Sequence, residues 1–398
     1  MNKQPIYYTN PEQLEFDAQV VRAIQYADKP AVVLDDTAFY PTSGGQPFDT
    51  GFLDDARVLE VVEEGGDILH VLDRPLSADR RVRGRIDRDR RLDHMQQHTG
   101  QHILSAAFDR LSSARTVGFH LGAVVSTVDL DIPLSPEAIA GAEAEANRIV
   151  WEDRPVGIRF VTDEEAAALP LRKEPERGGV LRVIDVEGYD LSACGGTHVA
   201  RTGTIGLIAV LSAERLRGGT RVEFACGGRA LRALRTFREA VAGCIRHVSV
   251  PPDELPTAIE RLQAEGKEQR KALKALQERV ASYQAVELAS RAEPVNGVKQ
   301  VVEAIDGQDQ NGLKAMALTI CSAPGFEVAL FSTTSPCVAV VARSRDAKAD
   351  AAAVLRGLIA RFGGRGGGKP DLAQGGGLAG PIPEILEAAR SALRAPSV

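Results

Sequence analysis

The sequence has few of the features that mark secreted or membrane-spanning proteins. Its 398 residues contain five cysteines and one tryptophan, and aromatic residues make up only 5% of the chain. An odd, small number of cysteines in a long chain does not predict a disulfide framework and favours a reducing compartment. No apolar run reaches the roughly 18 residues that a spanning helix needs. Residues 1–10 also lack the apolar core of a signal peptide, so we expect a cytoplasmic protein.

An excess of positive charge is also absent. The chain has 48 basic and 54 acidic residues, and its formal net charge is −6. The whole chain therefore does not have the charge of a nucleic-acid binder, and only local basic patches could bind RNA or DNA. Its 44% apolar and 26% charged residues are ordinary for a globular protein. At about 100–200 residues per domain, the length predicts two to four domains.

Residues 1–90 have the pattern of a small β-barrel. Short apolar runs at 31–34, 58–62 and 68–72 are separated by glycine- and proline-containing breaks. Short strands at such regular spacing are typical of barrels. Residues 81–87 alternate between apolar and charged, which predicts a further strand with one charged face.

Residues 91–245 mix helices and strands. From Arg88 onward, apolar and small residues recur at spacings of three and four, which predicts a helix. Ser135 before Pro136 predicts the start of a second helix that extends to Val150. No clean βαβ repeat emerges, so the pattern favours an α+β core over a doubly wound sheet. Further strands are predicted near 156–161, 180–186, 205–212 and 220–226.

Residues 250–293 differ from the rest because their apolar residues follow a four-three spacing. This heptad pattern predicts a coiled-coil-like spacer, either one long helix or a helical hairpin. Pro294 to Gly297 ends the segment. The seam consists of Leu255, Ile259, Leu262, Gly266, Gln269, Leu273, Leu276, Val280 and Tyr283, of which Gly266 and Gln269 are weak positions.

Residues 294–398 are expected to form a last, α/β domain. Strands are predicted at 298–305, 328–332 and 337–342. Helices are predicted at 347–362 and 382–393, on either side of a glycine-rich run at 363–377. Backbone N–H groups in such a run can approach a phosphate closely, although the same composition also suits a mobile linker.

Two short spacings carry the strongest chemical signal. His98 and His102 are four residues apart in the predicted helix, so both imidazoles lie on one face. Cys194 and His198 add a thiolate and a third imidazole from a glycine-rich turn. Two nitrogens from a helix with a sulfur and a nitrogen from a loop suit tetrahedral zinc. The alternative is that the two pairs are unrelated. Four of the scarce histidines and cysteines would then fall into two compact pairs by coincidence.

The spacing leaves the role of such a zinc open. Four protein ligands form a closed, structural site, whereas a catalytic zinc usually keeps one position free. No Glu accompanies His98 in the His-Glu-x-x-His arrangement, so a metalloprotease is not predicted.

These residues resemble the editing domain of alanyl-tRNA synthetase and the free-standing alanyl-tRNA editing proteins, the AlaX family. The segment Thr37–Gly51 is similar to the barrel signature of that family, and Asp87–His102 to the entry into its editing core. The glycine run at 363–377 is similar to the DHHA1 domain, which follows a coiled coil in the long AlaX form. The resemblance implies a barrel at 1–90, a zinc-containing editing domain of the threonyl/alanyl type at 91–245, a spacer at 250–293 and a DHHA1 domain at 294–398.

The resemblance implies hydrolysis of the ester between alanine tRNA and a wrong amino acid, serine or glycine. The zinc ligands carry over as His98, His102, Cys194 and His198. Thr37 is expected to read the serine hydroxyl, because a buried partner for that hydroxyl rejects a methyl group; otherwise it is an ordinary strand threonine. His120 is expected near the pocket, or else in the core, and Gln46 is expected to line the pocket.

A dense run of arginines is the local basic patch most suited to RNA. Residues 80–91 contain seven arginines and two aspartates, a density that can hold phosphates; the alternative is a solvated strand face. The family resemblance implies that the DHHA1 domain grips the tRNA elbow. It leaves open whether the spacer sets a distance or joins two copies in a homodimer through the C-terminal region. The predicted RNA-binding residues are Arg83, Arg85, Arg88, Arg91, Arg365 and Lys369.

Other functions compete with deacylation of mischarged tRNA. A full synthetase needs an adenylate-forming domain, for which a chain that starts at the barrel has no room. The threonyl-tRNA synthetase editing domain shares a similar His/Cys pattern. Asp93-His94 is followed by Met95, so the Asp-His-His motif of DHH phosphoesterases is missing. An RNA-binding module with a structural zinc is the non-enzymatic alternative.

Overall fold

The computed structural model describes residues 4–172, 180–295 and 297–394. The chain forms two compact units, Met1–His247 and Val248–Val398. Among the described residues, no helix is both long enough and apolar enough to cross a membrane.

The first unit begins with the short helix α1 (Ile6–Thr9), which is followed by a closed six-stranded barrel. Around the barrel the order is β1-β2-β5-β4-β3-β6, and β6 closes it by antiparallel pairing with β1. Exposed and buried residues alternate along β6, as expected of a strand with one face in a core. The strands are β1 (Glu15–Tyr26), β2 (Lys29–Leu34), β3 (Gly51–Leu53), β4 (Ala56–Glu64), β5 (Asp67–Leu72) and β6 (Arg81–Ile86).

Helix α2 (Arg88–Ser112) follows the barrel directly and forms the centre of the first unit. Asp87 caps its start by accepting hydrogen bonds from the backbone N–H groups of Asp89 and Arg90. Ser113 ends it in the left-handed conformation, with φ of 52°. Most of the helix is buried, so its polar side chains need fixed partners.

Two small sheets and helix α3 (Pro136–Trp151) pack around α2. Ser135 caps α3 by accepting from the N–H of Ala138, as the sequence predicts. The four-stranded sheet has the order β12-β13-β8-β7 and the three-stranded sheet the order β11-β10-β9. The remaining elements are β7 (Thr116–Leu121), β8 (Ser126–Leu130), β9 (Val156–Val161), α4 (Asp163–Ala167), β10 (Leu181–Val186), β11 (Asp190–Ala193), a 3-10 turn (Thr202–Ile205), β12 (Ile208–Leu216), β13 (Gly219–Cys226) and α5 (Gly227–Val248).

The second unit is a six-stranded sheet with an apolar core on each face. Its order is β14-β15-β16-β17-β19-β18, and β15 and β16 are parallel. Helices α8 and α9 cover one face, and α7 with the end of α6 covers the other. The elements are a 3-10 turn (Pro252–Glu254), α6 (Leu255–Arg291), β14 (Glu293–Val295), β15 (Val298–Ile305), α7 (Gln310–Cys321), β16 (Phe326–Ser332), β17 (Cys337–Arg343), α8 (Ala351–Phe362), β18 (Arg365–Lys369), β19 (Leu372–Leu378) and α9 (Ile382–Arg394).

The predicted fold class is confirmed: a small barrel, an α+β core, a helical spacer and a final α/β domain are all present. The spacer is one continuous helix and not a hairpin. Its seam residues Leu262, Leu273 and Leu276 remain about half exposed, so the coiled coil stays a prediction. Of the segment predicted to end the spacer, Asn296 lies outside the described residues. The four domain boundaries also stay predictions.

The glycine run at 363–377 is not a loop. Gly366 pairs with Gly375, and Gly368 with Ala373, in the antiparallel hairpin of β18 and β19. A Cβ on Gly366 would lie 2.5 Å from Cα of Gly375, so the close pairing of these two strands requires glycine. Because β18 is an edge strand, only its outward N–H groups are available to a partner.

Candidate metal centre

The four side chains predicted to bind zinc meet at one point. One ligand atom from each of His98, His102, Cys194 and His198 lies within 4.8 Å of the other three. His98 and His102 project from one face of α2, and the turn after β11 brings Cys194 and His198 to them. The three histidines are at most 5% exposed, so this is a buried cluster.

Each of the three imidazoles is held through its Nδ1 atom. Nδ1 of His98 lies 2.8 Å from Oε1 of Gln46, and Nδ1 of His102 lies 3.2 Å from a carboxylate oxygen of Asp190. Nδ1 of His198 lies 3.1 Å from the hydroxyl oxygen of Thr99, which also accepts the N–H of Val199. Since amide and carboxylate oxygens only accept, Nδ1 of His98 and His102 carries the proton, and Nε2 is left to bind a metal.

The Nε2 atoms converge on the sulfur of Cys194. Sγ lies 3.3 Å from Nε2 of His98 and 3.3 Å from Nε2 of His198. Zinc–nitrogen and zinc–sulfur bonds of about 2.0 and 2.3 Å at tetrahedral angles place these atoms roughly 3.5 Å apart. The donor set, the spacing and the fixed Nδ1 partners therefore all fit a zinc ion.

A buried arginine positions the Cys194 turn. Arg182 donates to the carbonyl oxygens of Cys194 at 2.6 Å, Gly196 at 2.9 Å and Tyr8 at 2.8 Å. Gly196 itself has no room for a side chain, because a Cβ there would lie 2.2 Å from Cε1 of His98. Gln46 adds a third constraint by accepting the N–H of Thr197. The ligand turn is thus held by β10 and by the barrel at once.

The cluster favours a thiolate even without a metal. Burial opposes the charged sulfur, but the imidazoles of His98 and His198 outweigh it and hold the pKa of Cys194 well below its usual range. Burial also lowers the pKa of His198 to about 3. Against the same effect of burial, hydrogen bonds to Asp190 and Cys194 raise the pKa of His102 to about 9. Metal binding at His102 would therefore require the loss of a proton from its imidazole.

A cavity of about 1170 Å³ opens onto this cluster. His98, His102 and Cys194 line it, as do Phe119 and Gln101. This volume is above the range of about 300–1,000 Å³ that is usual for pockets of small ligands. Its wall carries both signs of charge, and the charged residues are Asp109, Arg110, Arg115, Arg172 and Asp190.

Gln46 is close to the cluster but is not among the residues that line the cavity. Its side chain is fully buried, accepts from His98 and donates to Thr197 at 2.8 Å. Gln46 thus positions His98 and the Cys194 turn from behind the cluster, and its predicted place in the pocket wall stays a prediction.

The structure does not bring Thr37 to the cavity. Its hydroxyl lies 2.8 Å from Nε2 of His70 and accepts the N–H of Phe39. Nδ1 of His70 faces the carbonyl oxygen of Val32 at 3.2 Å, so Nδ1 carries the proton and Nε2 accepts from Thr37. The Thr37 hydroxyl proton is thus used inside the barrel, and the expectation that Thr37 reads a substrate hydroxyl stays a prediction.

The expectation that His120 lies near the pocket stays a prediction, and its neighbour Phe119 is the residue that lines the cavity. Successive side chains of a strand point to opposite faces. Phe119 on β7 faces the cluster, with its ring 5.4 Å from that of His98, and lines the cavity. His120 is exposed and is not among the lining residues.

Five of the six predicted RNA-binding residues are exposed. Arg83, Arg85 and Arg88 lie on or beside β6, and Arg365 and Lys369 bound β18. Arg91 is the exception, because it is fully buried and forms an ion pair with Asp49. Its guanidinium has no surface left for a phosphate, so its predicted RNA contact is wrong.

Sequence reasoning missed several residues that hold this site. Asp190 accepts from His102, Arg172 and Ser192 and so fixes one ligand. Its position four residues before Cys194 could have indicated this role, because carboxylates commonly accept a hydrogen bond from a histidine that binds metal. Arg182 left no such signal, since an arginine within a strand usually faces solvent.

Comparison with known proteins gives three family matches. Residues 297–395 match the DHHA1 domain, and residues 181–223 match the threonyl and alanyl tRNA synthetase second additional domain. Residues 7–90 match the class II (A) tRNA synthetases. Cys194 and His198 fall within the second of these matches.

Alanine–tRNA ligases are similar to the chain over nearly all of its length. That of Methanoculleus marisnigri is 38% identical over 97% of this chain and 43% of its own length. That of Pyrococcus furiosus is 37% identical over 76% of this chain and 34% of its own length. The chain thus spans less than half the length of these curated relatives. The predicted resemblance is nevertheless confirmed: the chain is an AlaX-like protein related to alanine–tRNA ligase.

Proposed function

We propose that the chain hydrolyses the ester bond of alanine tRNA that carries serine or glycine in place of alanine. The relatives support a role in handling alanine tRNA and editing its charging. Hydrolysis would free the terminal ribose hydroxyl and release the amino acid, with no need for ATP.

One observation carries this proposal: three of the four ligand side chains form part of the wall of a large cavity. A purely structural zinc site is usually enclosed by its own ligands. Here His198 is not among the lining residues, whereas His98, His102 and Cys194 face the open space. A substrate in the cavity therefore reaches the metal position from one side.

The residues of the cavity divide the work of binding the substrate. When bound, zinc supplies Lewis acidity, which polarises an ester or lowers the pKa of a water. Phe119 supplies an apolar wall beside His98, at 5.4 Å between ring centres. Arg115 supplies positive charge toward the terminal phosphate of the tRNA, whereas the charge of Arg172 is paired with Asp190. An aminoacyl ester is already activated, so this arrangement needs no covalent intermediate on the protein.

We assign the reading of the amino-acid side chain to Gln101. It lies on the same face of α2 as His98 and His102, lines the cavity and is 6% exposed. Its Nε2 atom donates to Oγ of Ser105 at 2.8 Å, which leaves its carbonyl oxygen to accept from a hydroxyl. The substitution Gln101→Leu should therefore slow serine removal more than glycine removal.

The test is deacylation of alanine tRNA charged with serine, glycine or alanine, and of threonine tRNA charged with serine. We expect rapid hydrolysis of the first two only. Chelation with metal analysis, and the variant Cys194→Ala, should each remove both the metal and the activity. Cys244→Ala is the matched control, because this exposed cysteine lies on α5 outside the cluster.

The outcomes separate the competing functions. A protein that binds tRNA and holds zinc but hydrolyses none of the four substrates is the RNA-binding module with a structural zinc. Hydrolysis of the threonine tRNA alone indicates editing of the threonyl type. Metal analysis of purified Cys194→Ala keeps the zinc question independent of activity.

The contacts with tRNA, the homodimer and the cytoplasmic location belong to the same proposal. Arg83, Arg85 and Arg88 on the barrel, and Arg365 and Lys369 on the hairpin, are the proposed phosphate contacts. Replacing each by glutamine should weaken tRNA binding more at low salt than at high salt. Analytical ultracentrifugation of the full chain tests for a homodimer.

A further inference from the structure

A second concave surface lies on the outside of the barrel. This barrel groove has a volume of about 480 Å³ and is lined by Phe52, Arg57, Arg85, Asp87 and Arg88, among others. Phe52 is 41% exposed, whereas large aromatic side chains are usually mostly buried. The metal-site mechanism uses neither Phe52 nor Arg57.

Strand pairing places an aromatic ring between two arginines. Phe52 on β3 pairs with Arg57 on β4 and with Arg85 on β6. Residues paired across neighbouring strands project from the same face of a sheet. The guanidinium of Arg85 lies 5.7 Å from the centre of the Phe52 ring. The three side chains therefore form one row on the outer face of the barrel.

The cations of the groove are not neutralised by carboxylates. Arg80 and Arg83 nearby form ion pairs with Asp54 and Glu15. Within the described ranges, no such ion pair is found for Arg57, Arg85 or Arg88. The two acidic residues of the groove are already engaged, Glu15 with Arg83 and Asp87 with the first N–H groups of α2. Three unpaired arginines thus line the same groove as the exposed ring of Phe52.

We propose that the barrel groove binds an unpaired nucleotide of RNA, with its base stacked on Phe52 and its flanking phosphates at Arg57, Arg85 and Arg88. Aromatic rings flanked by basic residues bind single strands because every base has a face to stack. An A-form duplex keeps its bases stacked inside and cannot offer one to the ring. The occupant is therefore a single strand and not a duplex.

This inference deepens the proposed function, in which RNA is the partner, by adding a binding site outside the cavity. Both sites contact α2: Arg88 and His98 are ten residues apart on it, roughly 15 Å along the axis. Four or five stacked nucleotides at about 3.4 Å each span that length. An RNA whose unpaired end enters the cavity is therefore long enough to contact the groove as well.

The test measures binding of the full chain to uncharged, fluorescein-labelled RNA by anisotropy, so it does not depend on hydrolysis. The probes are a 12-nucleotide oligoadenylate and a duplex of equal length. We expect Phe52→Leu to weaken binding of the single strand about 5- to 150-fold and to leave duplex binding unchanged. Phe52→Trp should restore the affinity, which separates stacking from mere apolar contact.

The salt dependence provides a second readout. Removing one phosphate contact lowers the slope of log affinity against log salt by about 0.7 for a single strand. Arg85→Gln should show this change, and Phe52→Leu should keep the full slope. Arg22→Gln is the matched charge control, because Arg22 is exposed on β1 but paired with Asp67.

Trp151→Leu is the matched aromatic control, since Trp151 is 71% exposed on α3 and is not among the residues that line the groove. The inference is overturned if Phe52→Leu binds oligoadenylate as tightly as Trp151→Leu does, or if it weakens single strand and duplex equally. Equal melting temperatures of the two variants exclude misfolding as the cause. Neither outcome bears on whether the cavity hydrolyses the ester.

Discussion

Two buried polar sites in the first unit use histidine in opposite ways. In the barrel, both ring nitrogens of His70 have partners within the fold, the hydroxyl of Thr37 and the carbonyl of Val32. In the metal centre, each imidazole has only Nδ1 held, and the Nε2 atoms of His98 and His198 face the sulfur of Cys194. Burial alone therefore does not identify a functional histidine. A functional histidine is identified by a ring nitrogen that the hydrogen bonds within the fold leave free.

The largest effect is expected from the turn that holds Cys194. Gly196→Ala places a methyl group 2.2 Å from His98, so the turn must move away from the helix. We expect loss of bound metal and a decrease in deacylation of at least roughly 100-fold, since ligands and substrate are both displaced. Gly195→Ala is the control, because its Cβ would meet nothing closer than Tyr8 at 3.6 Å. Equal metal content in the two variants would contradict the comparison.

The next largest effect is expected from Asp190, whose carboxylate oxygen accepts from Nδ1 of His102. Asp190→Asn removes the charge that fixes His102 and should weaken metal affinity about 10- to 100-fold. Competition with a chromophoric chelator measures this affinity without any RNA. Asp185→Asn is the control, because Asp185 on β10 pairs with Arg159 near the surface. If both variants keep the wild-type metal affinity, the hydrogen bond between Asp190 and His102 does not affect metal binding.

A smaller effect tests the barrel histidine. Burial lowers the pKa of His70 to about 4, against about 6.5 in the unfolded chain. The unfolded state therefore takes up a proton first, and the stability that the neutral ring contributes above pH 6.5 is lost as the pH falls toward 4. This loss is about 3 kcal/mol in the free energy of unfolding.

Urea unfolding of the full chain between pH 7 and 4 measures the loss. In His70→Gln the fall in stability over this range should be shallower, because the titrating group is gone. His120→Gln should keep the wild-type dependence, since His120 is exposed. A wild-type slope in His70→Gln would show that other groups govern the acid range.

The smallest effect is expected from His120, which points away from the cavity on β7. His120→Ala should keep a deacylation rate within about twofold of wild type, as surface substitutions away from a site usually do. Phe119→Ala should raise KM, since Phe119 lines the cavity. A large loss of activity in His120→Ala would instead support the pocket role that the sequence resemblance implies for His120.

The sequence was sufficient for most of the regular elements and for the four residues of the His/Cys cluster, for a physical reason. Strand and helix periods are local properties, and His98-x3-His102 lies on one helical face whatever surrounds it. The glycine run was misinterpreted because glycine carries no periodic signal, so the strand pair β18–β19 could not be seen. The short strand β3 was also missed.

Partners from distant segments could not be predicted. Thr37 and His70 are 33 residues apart, and Gln46 and His98 are 52 residues apart. No local pattern specifies which buried polar groups meet across such distances, although each must find a partner. For this reason the sequence did not reveal the contact of Thr37 with His70 or that of Asp190 with His102.

The buried ion pair of Arg91 and Asp49 has a mechanical consequence. The same guanidinium also donates to the carbonyl oxygens of Pro11 and Ala38, so the first turn of α2 is bonded to the segment before β1 and to two points of the β2–β3 connection. Breaking such a pair costs about 3–5 kcal/mol, a large share of the stability of a whole domain. We therefore expect the barrel and α2 to unfold in a single thermal transition. Cutting the chain after residue 90 would separate Asp49 from Arg91 and leave each fragment with an unpaired charge.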